Sequence, residues 1–99
     1  MTAIADLVVR LEGVFDLRAA QRVEEALSCV LPGGALCVDL TRVQDFQATG
    51  IAELARTLRP EGRRVRVVLR GLRRHQVRLL RYLGTDPAAL EAGPSPAAA

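Results

Sequence analysis

Hydrophobic and polar residues alternate along the first part of the chain. Residues 6–15, DLVVRLEGVF, divide into two sets of side chains: Leu7, Val9 and Leu11 on one side, and Val8, Arg10 and Glu12 on the other. A period of two predicts a β-strand. Asp16 follows directly, where a carboxylate accepts hydrogen bonds from the first N–H groups of a helix. We therefore predict a strand over 6–15 and a helix that starts at residue 17.

The next segment has a helical period instead. Apolar side chains recur every three or four residues, at Ala20, Val23, Leu27 and Val30. This spacing predicts a helix over about residues 17–31, which Pro32-Gly33-Gly34 would end.

The strand–helix order repeats along the rest of the chain. We predict a buried strand at 35–40, a connector at 41–47, a helix at 49–59, a strand at 64–70 and a helix at 72–83. Strands that alternate with helices predict a small α/β domain with a mostly parallel sheet, in the order β-α-β-α-β-α. We place this domain at residues 1–84 and expect the Pro/Ala-rich tail, 85–99, to be disordered.

Composition limits the possible functions. The chain of 99 residues is 49% hydrophobic but only 3% aromatic, which argues against stacking on single-stranded nucleic acid. The N-terminus lacks the pattern of a signal peptide, and no run approaches a membrane span of about 20 apolar residues. We therefore expect a cytoplasmic protein.

The residues that usually carry chemistry are few. Cys29 and Cys37 form no CxxC pair, and His75 is the one histidine. We therefore predict buried, reduced thiols and no metal or other cofactor. No Ser/His/Asp arrangement and no phosphate-binding loop is present, so we expect a protein that is not an enzyme and has no small-molecule substrate.

Positive charge is concentrated in the second half of the chain. All 14 basic residues are arginine and the net charge is +3, but residues 51–99 hold ten arginines against four acidic residues. Arg74, Arg78 and Arg81 share one face of the third predicted helix. This basic face is interpreted either as a solvated surface or as a contact for an acidic partner. Anionic lipid or nucleic acid is a lesser alternative.

Two stretches of sequence resemble the STAS domain family, named for sulfate transporters and anti-sigma-factor antagonists. LEGVFD before a helix is similar to the opening motif of that family, and CVDLTRVQDFQATGIAEL resembles its second motif. The resemblance covers about residues 7–84. It implies a regulatory protein-binding module. In the antagonist branch, the hydroxyl after a motif aspartate is phosphorylated by a kinase that doubles as an anti-sigma factor. About −1.5 to −2 charges then arrive at the contact surface.

The sequence departs from this motif at its central positions. Aligned on Gly50, Gln47 replaces the aspartate and Ala48 replaces the phospho-acceptor. Alanine cannot be phosphorylated. Thr49 carries a hydroxyl one residue later, but one helical residue rotates a side chain by about 100°. Thr49 is therefore interpreted first as a helix cap, then as a partner contact, and last as an acceptor.

The resemblance implies a contact surface formed by both motifs. We predict that it contains Phe15, Asp16, Asp45, Phe46, Gln47, Ala48, Thr49, Ile51 and Glu53. The predicted partner is a protein, either a kinase similar to anti-sigma factors or, as an alternative, the ATPase of an ABC lipid-transport complex. Both alternatives stay open at this point.

Overall fold

A computed structural model describes residues 4–59 and 64–90. Its elements follow in chain order: β1 Ile4–Phe15, α1 Leu17–Ser28, β2 Val30–Phe46, α2 Ala48–Thr57, β3 Arg66–Arg70, α3 Arg74–Tyr82 and a 3-10 helix at Pro87–Leu90. The predicted β-α-β-α-β-α order is confirmed. The short 3-10 helix was not predicted.

The three strands form one parallel sheet. Their spatial order is β1-β2-β3, so β2 lies in the centre and each crossover moves one strand along the sheet. Along β2, Leu36, Val38 and Leu40 are fully buried, whereas Cys37 and Asp39 between them are only partly buried. Helix α1 contacts β1, β2 and α2. The helices therefore cover one face of the sheet, and the side chains on its other face, here called the outer face, are more exposed.

The hydrophobic core lies between that covered face and the helices. The strands contribute buried aliphatic residues on alternate positions, and the helices contribute Ala20, Val23, Leu54 and Leu80. The alternation in β1 follows the prediction, because Leu11 is buried while Val8 is 59% exposed. Period-two patterning therefore assigned the two faces of β1 correctly.

The prediction of a connector at residues 41–47 was wrong. Strand β2 continues to Phe46 because its last part pairs with β1, in the matches Glu12 to Arg42, Gly13 to Val43, Val14 to Asp45 and Phe15 to Phe46. Bulges in the register accommodate extra residues of β2. A local sequence pattern does not reveal such pairing with a distant segment.

The predicted end of the first helix also needs correction. Helix α1 ends at Ser28, and Val30, predicted to be helical, begins β2. Pro32-Gly33-Gly34 lies within β2, at an irregular part of its register between the matches Ile4 to Val30 and Asp6 to Ala35. The glycine-rich stretch therefore makes the strand irregular rather than forming a turn after the helix.

The folded part of the chain extends beyond residue 84. Thr85, Ala89 and Leu90 are buried, and the Asp86 N–H donates to the carbonyl of Leu58 at 2.9 Å. The 3-10 helix also contacts β3. Residues 85–90, assigned to a disordered tail by composition, therefore belong to the domain. The rest of the predicted tail, 91–99, lies outside the described residues.

Within the described residues neither Cys29 nor Cys37 forms a disulfide, and each is partly buried rather than fully enclosed as predicted. Cys29 ends α1, and Cys37 lies on the outer face of the sheet. Among the described residues, none of the helices has the length and apolar character of a membrane span.

Candidate functional site: the surface at the start of α2

The two sequence motifs meet where the carboxyl ends of β1 and β2 lie side by side. Because β1 and β2 are parallel, they end side by side, with Phe15 opposite Phe46. Asp16 and Gln47 follow as the residues that precede α1 and α2. The Gln47 N–H donates to the Phe15 carbonyl at 3.0 Å, which joins the two strand ends directly. Strand pairing thus brings two distant segments into a single surface.

Buried apolar side chains pack directly beneath the exposed residues of this surface. Phe15 is fully buried, and the centre of its ring lies 5.8 Å from that of Phe46, with 33° between the ring planes. Ile51 is 3% exposed. Phe15 and Ile51, both predicted to contact a partner, are therefore inaccessible to one and instead hold the surface in place. Phe46 is half-buried and keeps an accessible part.

Asp16 has a structural role at the start of α1. Its carboxylate oxygen Oδ1 accepts a hydrogen bond from the Ala19 N–H at 3.0 Å, and its carbonyl accepts from the Ala20 N–H at 3.1 Å. This is the capping arrangement that the sequence predicted. The carboxylate satisfies helix N–H groups and is half-buried, which limits its exposure to a partner.

Gly50 permits a close contact between α2 and the end of β1. A Cβ atom at this position would lie 2.6 Å from the Phe15 carbonyl oxygen and 2.8 Å from that of Asp16. Both neighbours are backbone atoms, so neither can rotate away. A residue with a side chain would therefore force α2 away from β1. The glycine of the second motif is needed for packing, which the sequence alone did not show.

The first turn of α2 is open to solvent. Gln47 is the N-cap but makes no capping hydrogen bond with its side chain. Ala48 is the first helical residue and Thr49 the second, and both are exposed. The interpretation of Thr49 as the helix cap was therefore wrong, because the helix begins one residue earlier than predicted. Its hydroxyl lies on the accessible part of the first turn.

Two apolar residues missed by the sequence analysis lie beside this surface. Val14 is 46% exposed and Leu17 is 44% exposed. Val14 belongs to the same side of β1 as Val8, Arg10 and Glu12, so counting alternate positions from Val8 would have predicted that it is exposed. Leu17 is the first residue of α1 and lies outside its buried face. Exposed apolar side chains next to a polar helix start are suited to protein contact.

The other two acidic residues predicted for this surface, Asp45 and Glu53, have different surroundings. Asp45 is exposed. Glu53 accepts hydrogen bonds from Arg56, whose Nε lies 2.9 Å from Glu53 Oε1. These hydrogen bonds are the main reason that the pKa of Glu53 lies below its usual value. Arg56 also lies 3.5 Å from a carboxylate oxygen of Glu24 on α1. Glu53 is therefore part of an ion-pair network that links α1 and α2.

The basic face lies on a separate helix. Arg74, Arg78 and Arg81 are exposed on α3, and in residues 4–59 and 64–90 no ion pair involves them. Tyr82, 87% exposed, and Leu79, 44% exposed, add apolar surface to the same helix. Helical spacing predicted that the three arginines share a face, and all three are exposed in the structure.

Comparison with known proteins identifies the family and the fold of this chain. The family model described as "Mlab, STAS domain" matches residues 2–91. A solved structure, described as a sulfate transporter family protein from Wolinella succinogenes, has the same fold with a TM-score of 0.58. It is 19% identical, and the match covers 93% of this chain and 74% of that one. A search of curated proteins found no match.

The fold and the paired motifs define a small α/β domain of the STAS type. The chain belongs to the STAS domain family.

Proposed function

We propose that this STAS domain is a non-enzymatic regulatory module that binds a partner protein through the first turn of α2. The contact surface consists of Asp45, Phe46, Gln47, Ala48 and Thr49, with Val14 and Leu17 beside them. The observation that carries the proposal is the exposed first turn, which packs closely against the end of β1 at Gly50 and is flanked by accessible apolar side chains.

This module works without the usual charge switch. Ala48 occupies the acceptor position and is exposed, but it has no hydroxyl. Phosphorylation at this position would otherwise add about −1.5 to −2 charges to the contact surface. Binding here is therefore controlled by the partner or by concentration rather than by modification of residue 48.

Two kinds of partner fit such a surface. The first is a kinase similar to anti-sigma factors, bound constitutively because Ala48 cannot receive phosphate. The second is the ATPase of an ABC lipid-transport complex, to which the domain would be an accessory subunit. The lost acceptor favours this second partner, since a stable accessory subunit needs no release switch.

A matched pair of double variants tests the surface. Thr49→Arg with Asp45→Arg adds three positive charges at the start of α2, and Gln21→Arg with Glu25→Arg adds the same charge to exposed positions of α1. Partners that co-purify with the wild type would be identified by mass spectrometry, and their affinities measured with purified proteins. We expect the α2 variant to lose affinity by about tenfold or more, as at an interface centre, and the α1 variant to bind normally. Equal binding by both variants would exclude this surface.

The same purified complex distinguishes the two partners. With ATP and the partner present, wild-type protein should keep its unmodified mass, while an Ala48→Ser variant should gain a phosphate only if the partner is a kinase. A stoichiometric phosphate on Thr49 of the wild type would show that the switch has moved by one residue, contrary to the proposal.

The basic face supports a lesser candidate function. Its arginines form no ion pair with other described residues, and together with the exposed Tyr82 they would suit anionic lipid or nucleic acid. Such binding should be strong at about 50 mM salt and fall steeply as salt rises. No binding to anionic vesicles or oligonucleotides at that low salt would eliminate this candidate without affecting the α2 proposal.

A further inference from the structure

Among the described residues, β1 has a partner strand on one side only. In the described part of the chain the sheet order is β1-β2-β3, and β1 pairs with β2 alone. The backbone N–H and C=O groups on its other side are open to pairing with another chain. Such edges are templates for strand addition unless their sequence opposes it.

One part of this edge is regular. The register between β1 and β2 shifts between Ile4 and Asp6 and again between Arg10 and Glu12. Between these irregularities, Asp6–Arg10 pairs residue by residue with Ala35–Asp39. A regular segment therefore spans Asp6–Arg10, with Val8 at its midpoint.

The segment is complementary to a second copy of itself. In antiparallel pairing about a two-fold axis through Val8, perpendicular to the sheet, Asp6 of each copy lies opposite Arg10 of the other. Val8 lies opposite Val8 on the same outer face. On the helix-covered face, Leu7 lies opposite Val9. Directly opposed residues interact in such pairs, and opposite charges there are favourable.

The side chains are available for this contact. Val8 is 59% exposed, and Leu7 and Val9 are only half-buried although they belong to the core face. Arg10 is 82% exposed and its nearest carboxylate, on Asp39, lies 3.9 Å away. A weak surface pair of this kind does not prevent Arg10 from turning to a new partner.

Neighbouring registers are less favourable. Moving the two-fold axis to Val9 places Asp6 opposite Glu12, which opposes two acidic residues. Moving it to Leu7 places Asp6 opposite Val8 and leaves the charge unpaired. The register through Val8 therefore matches both charge and hydrophobicity.

The opposite edge of the sheet provides a contrast. Strand β3, Arg66–Arg70, has the same length and also has a valine, Val68, at its midpoint. The same two-fold pairing there would place Arg66 opposite Arg70, both exposed. Like charges directly opposite each other are destabilising. The β3 edge repels a copy of itself, whereas the β1 edge attracts one.

We propose that the protein forms a homodimer by antiparallel pairing of Asp6–Arg10 in two copies, which joins the two sheets into one of six strands. The start of α2 lies at the end of β1, beyond the irregularities in register, and is not part of this contact. Each dimer therefore presents two partner-binding surfaces.

Charge reversal tests the proposal. Sedimentation equilibrium of the full chain, 10.7 kDa as a monomer, would be measured over a range of concentrations. Wild type should show a monomer–dimer equilibrium. Arg10→Asp should raise the dimer dissociation constant by about tenfold or more, because two attractive pairs become repulsive. Asp6→Arg combined with Arg10→Asp should restore it.

A matched control and a second readout separate edge pairing from other association. Arg18→Asp makes the same charge change on the exposed part of α1 and should leave the dimer intact. Circular dichroism would verify that each variant is folded. In a mixture of labelled and unlabelled protein, isotope-filtered NMR should show contacts from Val8 to Val8 and from Leu7 to Val9 between copies.

Two results would overturn the proposal. One is a wild-type protein that remains monomeric up to about millimolar concentration, where even a weak contact would associate. The other is a dimer that Arg10→Asp does not weaken, or whose intermolecular contacts join Val8 to Cys37 or Val68, which would indicate packing of the outer sheet faces instead.

Discussion

The start of α2 and the exposed face of α3 are both accessible, yet they are held in place in different ways. The start of α2 is fixed by backbone: the Gln47 N–H bonds to Phe15, and Gly50 lies against the carbonyls of Phe15 and Asp16. Within α3, the residues buried against the rest of the domain are Gln76 and Leu80, and their side chains anchor this helix. A surface held by backbone keeps its shape when its exposed side chains change.

The arginines of the two helices also differ in whether they form ion pairs. Arg56 on α2 has two carboxylate partners, Glu53 and Glu24. Arg74, Arg78 and Arg81 have no such partner in the described residues. A paired arginine contributes to folding, while an unpaired one is available to another molecule. Exposure and helical spacing alone therefore do not distinguish a structural arginine from one that is available for binding.

The largest expected loss of stability follows from truncating a buried side chain of α3. Leu80→Ala would leave a cavity where a fully buried side chain packs, and should cost about 2–5 kcal/mol of unfolding free energy. The adjacent Leu79→Ala, at a position 44% exposed, is the control and should cost less than about 1 kcal/mol. Chemical denaturation measures both. Equal losses would mean that α3 is not held by its buried face.

A somewhat smaller effect is expected at the start of α2. Gly50→Ala introduces a Cβ 2.6 Å from the Phe15 carbonyl oxygen, and the resulting overpacking should cost about 1–3 kcal/mol. Thr49→Ala changes the neighbouring exposed residue and should stay within about 0.5 kcal/mol of wild type. If Gly50→Ala were as stable as Thr49→Ala, the backbone contact would not be what holds this surface.

The smallest effect separates paired from unpaired arginines. Arg56→Gln should lower the melting temperature slightly at pH 7, and Arg78→Gln should not. Arg56 depresses the pKa of Glu53 in the folded state, so the stabilisation is present above the ordinary glutamate pKa and is lost as the pH falls through the lowered value. The difference between Arg56→Gln and wild type should therefore disappear in acid. A difference that persists there would assign the effect to packing by the arginine stem.

Much of the fold could be predicted from local pattern. Alternation in β1, the Asp16 cap and the helical spacing of Ala20 and Val23 each depend on neighbouring residues, and the structure bears them out. The predictions failed where distant segments decide the outcome. Residues 41–46 form strand because β1 lies beside them, and residues 85–90 are ordered because they pack near β3 and Leu58.

The candidate site, like the fold, could be predicted from the sequence only in part. The motif spacing located both of its segments, but it could not show that Phe15 and Ile51 lie beneath the surface rather than on it. Val14 and Leu17 were missed because exposure of an apolar residue depends on what packs against it. These assignments need the tertiary structure.

Local sequence is enough to predict the order of elements, the arginine-rich character of α3 and the missing hydroxyl at Ala48, since each is a property of residues close together in the chain. Three features follow only from the tertiary structure. A Cβ atom at residue 50 would clash with the end of β1, Thr49 is the second residue of α2 rather than its cap, and Asp6–Arg10 is a regular segment of an edge strand. The physical reason is that each of these depends on atoms brought together by strand pairing and packing, at separations that no local pattern encodes.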